Sequence, residues 1–185
     1  LSAKIMRVGN LAARSTDGEF QVNFPTNSSM GRIKVFNMLG CCPHDMRDNP
    51  SEFSPINEVS KAIILLSKTP AECCVFHPYN NHTVLFGDIL SELKCVGDGV
   101  KFVDNDEFAQ RMEIAKEDTN KARQLSSLLA YQDMAHGHKT ADVSCRNDYT
   151  MQVLYRLGYS WSHTTWDYID RFLQAIAGLG FFDNK

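Results

Sequence analysis

Apolar positions along this chain come in short runs set off by turn residues, and the runs follow two periods. Ile5, Met6 and Val8 form a run broken by Arg7 and halted by Gly9-Asn10. That length, stopped by two turn residues, predicts a buried strand. Arg14 to Phe24 is polar, with Asp17-Gly18 as a turn, and reads as a loop over the mouth of that strand. Met30, Ile33, Val35, Phe36 and Leu39 predict a helix stopped by Gly40. Cys41 to Ser54 is irregular, with prolines as breakers. Ile56 to Leu66 is the clearest helix, with Ile56, Val59, Ile63 and Ile64 on one face and Pro55 just before it.

Cys73 to Phe76 predicts a strand ended by His77-Pro78. Thr83 is placed to N-cap a helix carrying Leu85, Ile89, Leu90 and Leu93, closing near Gly97. Val100 to Val103 reads as a strand, and Asp104-Asn105 caps a helix with Phe108 and Met112. Asp118 to Tyr131 predicts a further helix, and the polar connector Asp133–Arg146 has room for a strand at Ala141–Ser144. Asn147 caps a helix ended by Gly158, and Thr164 or Thr165 caps a last one, in which Trp166, Ile169, Leu173 and Ile176 recur at a helical period.

The order is strand, helix, helix, strand, helix, strand, then helices. It predicts an α/β chain rich in helix, with a few short strands and no complete Rossmann half. No repeat, low-complexity segment or long linker divides residues 1–185, so a single domain is expected.

Composition narrows the partners. The chain is 43% apolar with eleven Phe, and 185 residues can bury a real core. Net charge is -3 with Lys and Arg scattered, which argues against nucleic acid. No apolar run is long enough to span a membrane and no signal peptide is visible. The six cysteines include two vicinal pairs, Cys41-Cys42 and Cys73-Cys74; with no secretion signal they read as reduced thiols in a cytoplasmic protein. The abrupt start in a strand-like segment leads us to expect a chain cut from something longer.

Familiar chemistry is missing. The sequence has no G-x-G-x-x-G, no G-x-x-x-x-G-K-[ST], no G-x-S-x-G and no H-E-x-x-H. No Tyr has a Lys four positions later, so the acid pair of short-chain reductases is absent. Cys41, Cys42 and His44, then Cys73, Cys74 and His77, and His136 with His138, gather metal-ligand types. Yet no C-x-x-C occurs, and vicinal cysteines on a strand point to opposite faces, so no metal site is expected. The aromatic end, Trp161 to Phe182, reads as core packing of an amphipathic helix.

One resemblance adds what spacing does not give. It rests on Arg7-Val8-Gly9-Asn10-Leu11, Ser15-Thr16-Asp17-Gly18-Glu19-Phe20-Gln21, Ser54-Pro55-Ile56-Asn57-Glu58-Val59, Val75-Phe76-His77-Pro78-Tyr79-Asn80-Asn81, Gly87-Asp88-Ile89-Leu90, Val153-Leu154-Tyr155-Arg156-Leu157-Gly158 and Gly178-Leu179-Gly180-Phe181-Phe182. Their order and spacing resemble the C-terminal part of the terminal thioester reductase domains of nonribosomal peptide synthetases, which are extended short-chain dehydrogenase/reductases. Ala12-Ala13-Arg14 departs from the family's pattern, where a glycine lies near this arginine.

The resemblance implies the substrate-binding subdomain of a longer enzyme that reduces a carrier-bound peptide thioester to an aldehyde or alcohol with NADPH. An upstream nucleotide-binding part and a peptidyl carrier domain bearing phosphopantetheine-bound peptide would be its partners. This segment alone would bind no cofactor and be inactive. Gly9, Asn10 and Leu11 would border the nicotinamide, since a glycine backbone lets a flat ring approach closely. Phe20 and Phe24 would line the acyl chain. The competing reading is a free-standing helical protein-binding module without enzymatic activity.

Overall fold

The computed structural model describes residues 3–21, 23, 27–93, 99–125 and 146–183. Phe24, the segment at 141–144, and the residues Gly97, Cys95, Cys145, His136 and His138 lie outside the described residues.

The strands are β1 (Ile5–Met6), β2 (Leu11–Ala12), β3 (Cys41–Pro43), β4 (Pro50–Ser51), β5 (Ser54–Pro55), β6 (Val75–Phe76), β7 (Val84–Leu85) and β8 (Lys101–Val103). The helices are α1 (Ser28–Leu39), α2 (Ile56–Ser67), α3 (Phe86–Glu92), α4 (Asn105–Lys116), α5 (residues 119–125 as described), α6 (Asp148–Arg156) and α7 (Trp166–Gly178). Among the described residues the strands only pair off. β1 with β6, β2 with β5 and β3 with β8 are parallel; β4 with β7 is antiparallel. The chain is therefore helix-rich with a few short strands and no continuous sheet.

Helix ends follow the sequence. Asn27 caps α1 by accepting from the N–H groups of Ser29 and Met30, and Gly40 closes it in the left-handed region, φ 64°. Asp104 accepts from Glu107 N at 2.7 Å, and Thr165 rather than Thr164 caps α7.

Other expectations need correction. The first strand is present, but Ile5 and Val8 are 52% and 40% exposed, so it is not buried. Cys41–Pro43 is a strand, not irregular; its pairing with Lys101–Val103 is non-local and leaves no period to read. Cys41 and Cys42 are fully buried on it, and burial raises the thiol pKa of Cys42 to about 12. In α2 the inward face is Glu58, Val59, Ala62 and Leu66, while Ile56 and Ile64 face out. Thr83 caps nothing: β7 intervenes and α3 starts at Phe86. Asn147 precedes α6, but its side chain donates to Tyr79 O instead of capping.

Two apolar clusters result. The larger joins α1, β3, α3, β8, α4 and α7 around Phe36, Ile89, Leu90, Ile169 and Leu173. The smaller joins α2, β6 and α6 around Ala62, Leu66, Phe76 and Leu154, with Tyr159 and Trp161. The aromatic end divides between them: Tyr168, Phe172 and Phe181 are buried, but Trp166 is exposed.

Leu173 is completely buried in the larger cluster, whereas Leu179, the residue that follows α7, is 70% exposed. Leu173→Ala is expected to cost about 2–5 kcal/mol in urea unfolding, and Leu179→Ala about 0.5 kcal/mol or less.

Candidate functional site

Gly9 and Asn10 lie in the link between β1 and β2, which makes no turn there. Asn10 N–H donates to Glu52 Oε2 at 3.0 Å, and Asn10 O accepts from Ser54 N at 3.1 Å. These two bonds dock the link onto the segment entering β5. A side chain at Gly9 would collide with the Glu52 carboxylate and come within 2.5 Å of Tyr79 Cβ. The glycine is thus required by neighbours within the chain, through close approach rather than a left-handed backbone.

Beside this link lies a cleft of about 330 Å³. Its buried lining is apolar: Met30 and Ile33 from α1, Phe53 before β5, Phe86 and Ile89 from α3, and Phe172 from α7. Its polar lining includes Asn10, Arg32, Asn49 and Glu52. Leu11, Ala12 and Phe20 complete it. Phe20 is packed edge-on against Phe172, centroids 5.3 Å apart, and Phe172 in turn against Phe53 at 6.3 Å. Asn10, Leu11 and Phe20, singled out in the sequence, therefore meet in one cleft. Gly9 sits behind them against Glu52, and Phe24 lies outside the described residues.

Sequence reasoning missed Glu52, Phe53 and Phe172. Ser51-Glu52-Phe53-Ser54 holds a single apolar residue and offers no period. Phe172 could be read as helix core, but nothing along the chain places it opposite Phe20.

Glu52 is the ionisable group most altered by this setting. Burial pushes its carboxyl pKa above the ordinary glutamate value, against the opposing pull of donors from Ser54 Oγ and Asn10 N–H. Ser54 Oγ donates to Glu52 Oε1 and accepts from Asn80 N at 2.8 Å. Asn80 Nδ2 reaches Ser162 O at 3.0 Å, and Ser162 gives both its N–H and its hydroxyl to Glu58, at 3.1 and 2.6 Å.

A second cleft, about 370 Å³, is lined by Ser15, Asn80, Ser162, His163, Thr164 and Arg171 among others. Most of its polar groups hold loops together: Arg171 Nη1 donates to the carbonyls of Ser15 and Thr16, and Thr164 Oγ1 donates to His82 O at 2.8 Å. Its chemistry is structural, so the apolar cleft is the better candidate. Among the described residues no three His, Cys, Asp or Glu side chains gather as metal ligands, and no helix is long and apolar enough to cross a membrane.

No family model and no curated protein matches the sequence. Solved structures do. A thiolation-reductase di-domain from an archaeal nonribosomal peptide synthetase aligns with 99% of this chain at 31% identity and TM-score 0.85. The chain has the fold of part of a terminal reductase domain. The terminal R domain of the myxalamid PKS-NRPS pathway (21% identity, TM-score 0.78, 98% of this chain) and the aureusimine cluster reductase domain (18%, 0.73, 96%) share that fold. The chain spans 37% of the di-domain and 45% of each of the other two. The reductase-domain fold thus accounts for the helix-rich layout.

Gly9→Val is expected to destabilise the chain by about 1–3 kcal/mol, because Glu52 and Tyr79 must move; chemical unfolding measures it. Glu52 gives a pH signature. Its folded-state pKa lies above the unfolded value, so its ionisation weakens the fold at neutral pH, and the loss is relieved as pH falls through the folded pKa. The Asn10 amide resonance should titrate above the ordinary glutamate value and stop titrating in Glu52→Gln.

Proposed function

We propose that this chain is the substrate-binding portion of a terminal thioester reductase, the C-terminal complement of a nucleotide-binding part. The cleft between β2, α1, α3 and α7 receives the acyl or peptidyl group of a carrier-bound thioester. The observation that carries this reading is the convergence of Asn10, Leu11 and Phe20 on one apolar-lined cleft. The 31% identity to a thiolation-reductase di-domain across the chain supports the reaction class.

The exposed apolar residues of β1 and β6 support the same reading. Parallel strands are ordinarily covered on both faces, yet Ile5, Val8 and Val75 are 37–52% exposed. This pair is where the nucleotide-binding part would extend the sheet. When bound, NADPH supplies the hydride. Asn10 and Leu11 would border its nicotinamide, and Asn10 has both an amide donor and an acceptor to offer a neighbouring polar group. The sequence has no glycine-rich turn for the pyrophosphate, so those contacts fall to the upstream part. The buried aromatic lining would exclude water from the acyl group and orient it, leaving the thioester at the Asn10 edge. A peptidyl carrier domain would deliver it on phosphopantetheine, in the cytoplasm, and the product would leave as an aldehyde or alcohol.

The test uses the 185-residue chain and a hexanoyl N-acetylcysteamine thioester. Amide shifts should cluster at Asn10, Leu11, Phe20 and Phe172, and calorimetry should show no micromolar NADPH affinity for this segment alone. Shifts confined to residues away from the cleft would overturn the assignment.

A further inference from the structure

A smaller cleft of about 180 Å³ also borders β2, lined by Arg14, Glu19, Gln21 and Ile56 together with Leu11, Ala12 and Phe20. Those last three residues also line the larger cleft. The two spaces are thus neighbours across a shared wall. Ala12 is buried and small, and Leu11 stands 37% exposed, so Phe20 contributes the largest side chain to that wall. Its ring is held in place edge-on against Phe172, which is 2% exposed. The edge-on contact favours this position of the ring.

We infer that Phe20 is the residue that sets the length of acyl group this chain accepts, closing the larger cleft to all but short or compact apolar groups. Removing the ring joins the two clefts into one apolar channel beside Leu11 and Ile56, long enough for an extended unbranched acyl chain. The inference rests on the proposal that the larger cleft is the acyl site, and adds to it the class of acyl group selected. The smaller cleft is suited to the far end of such a chain: Ile56, 37% exposed on the first turn of α2, offers apolar surface there. Arg14 at its border pairs with both Asp17 and Glu19, so its guanidinium charge is compensated where an alkyl group would pass.

Hexanoyl and dodecanoyl N-acetylcysteamine thioesters, titrated by calorimetry into the wild-type chain, Phe20→Ala and Phe20→Leu, test this. In wild type the dodecanoyl probe should bind no better than the hexanoyl. In Phe20→Ala the ratio should shift about tenfold toward dodecanoyl, equivalent to about two more buried methylene groups. Phe20→Leu, which keeps an apolar filling against Phe172, should fall between, and it carries the test if the alanine variant does not fold. Equal ratios in wild type and the folded variants overturn the role of Phe20 while leaving the acyl site in place. Absence of binding by both probes to the folded wild-type chain overturns the acyl site, and this inference with it.

Discussion

Hydrogen bonds among buried polar residues, most of the bonds part-buried, link the two apolar clusters of this molecule. Ser54, Glu58 and Asn80 are 0%, 8% and 1% exposed, and Asn147 and Thr150 are buried beside them. Each is engaged: Ser54 with Glu52 and Asn80, Asn80 with Ser162, Ser162 with Glu58, Asn147 with Tyr79 O, and Thr150 Oγ1 with His77 N. A polar group removed from water without a partner costs more than a made bond gains, so a connected set of this kind admits few alternatives. Phe53, next to Ser54, belongs to the larger apolar cluster; Val59, next to Glu58, belongs to the smaller. The network therefore fixes how the clusters sit against each other, which apolar contact alone does without direction.

The candidate site grows from one end of that network. Glu52 is tied to Ser54 and to the Asn10 amide, so the link after β1 is positioned by the same bonds that join the clusters. Beyond it, the loop after β2 is fastened twice more. Ser15 and Asn57 exchange two hydrogen bonds, and the buried Tyr168 hydroxyl donates to Ala13 O at 2.9 Å. A loop held by this many partners can present Phe20 at a defined place against Phe172. Rigid placement of lining residues is what a selective cleft requires.

Much of the local structure was legible in the chain. The helices that the structure begins at Ser28, Ile56, Asn105, Asp148 and Trp166 were legible from period, from the stop at Gly40 and from caps such as Asp104 and Thr165, because these signals are local. Faces and pairings were less so. Ile56 and Ile64 belong by period to the apolar face of α2, yet Glu58 is inside in their place because Ser162 donates to it. The stretches that carry the family resemblance, Ser54 to Val59 and Val75 to Asn81, supply most of the buried network.

Local signals in the chain placed most of the helices and showed that the strands are short. Caps, turns and periods act over a few residues, so they survive reading in one dimension. Only the tertiary structure decided that Cys41–Pro43 pairs with Lys101–Val103, that Gly9 must be a glycine because Glu52 and Tyr79 crowd it, and that Phe172 faces Phe20 from more than 150 residues away. Those outcomes depend on contacts between distant segments and on which polar groups find partners once water is excluded. Neither is encoded in any single stretch of the chain.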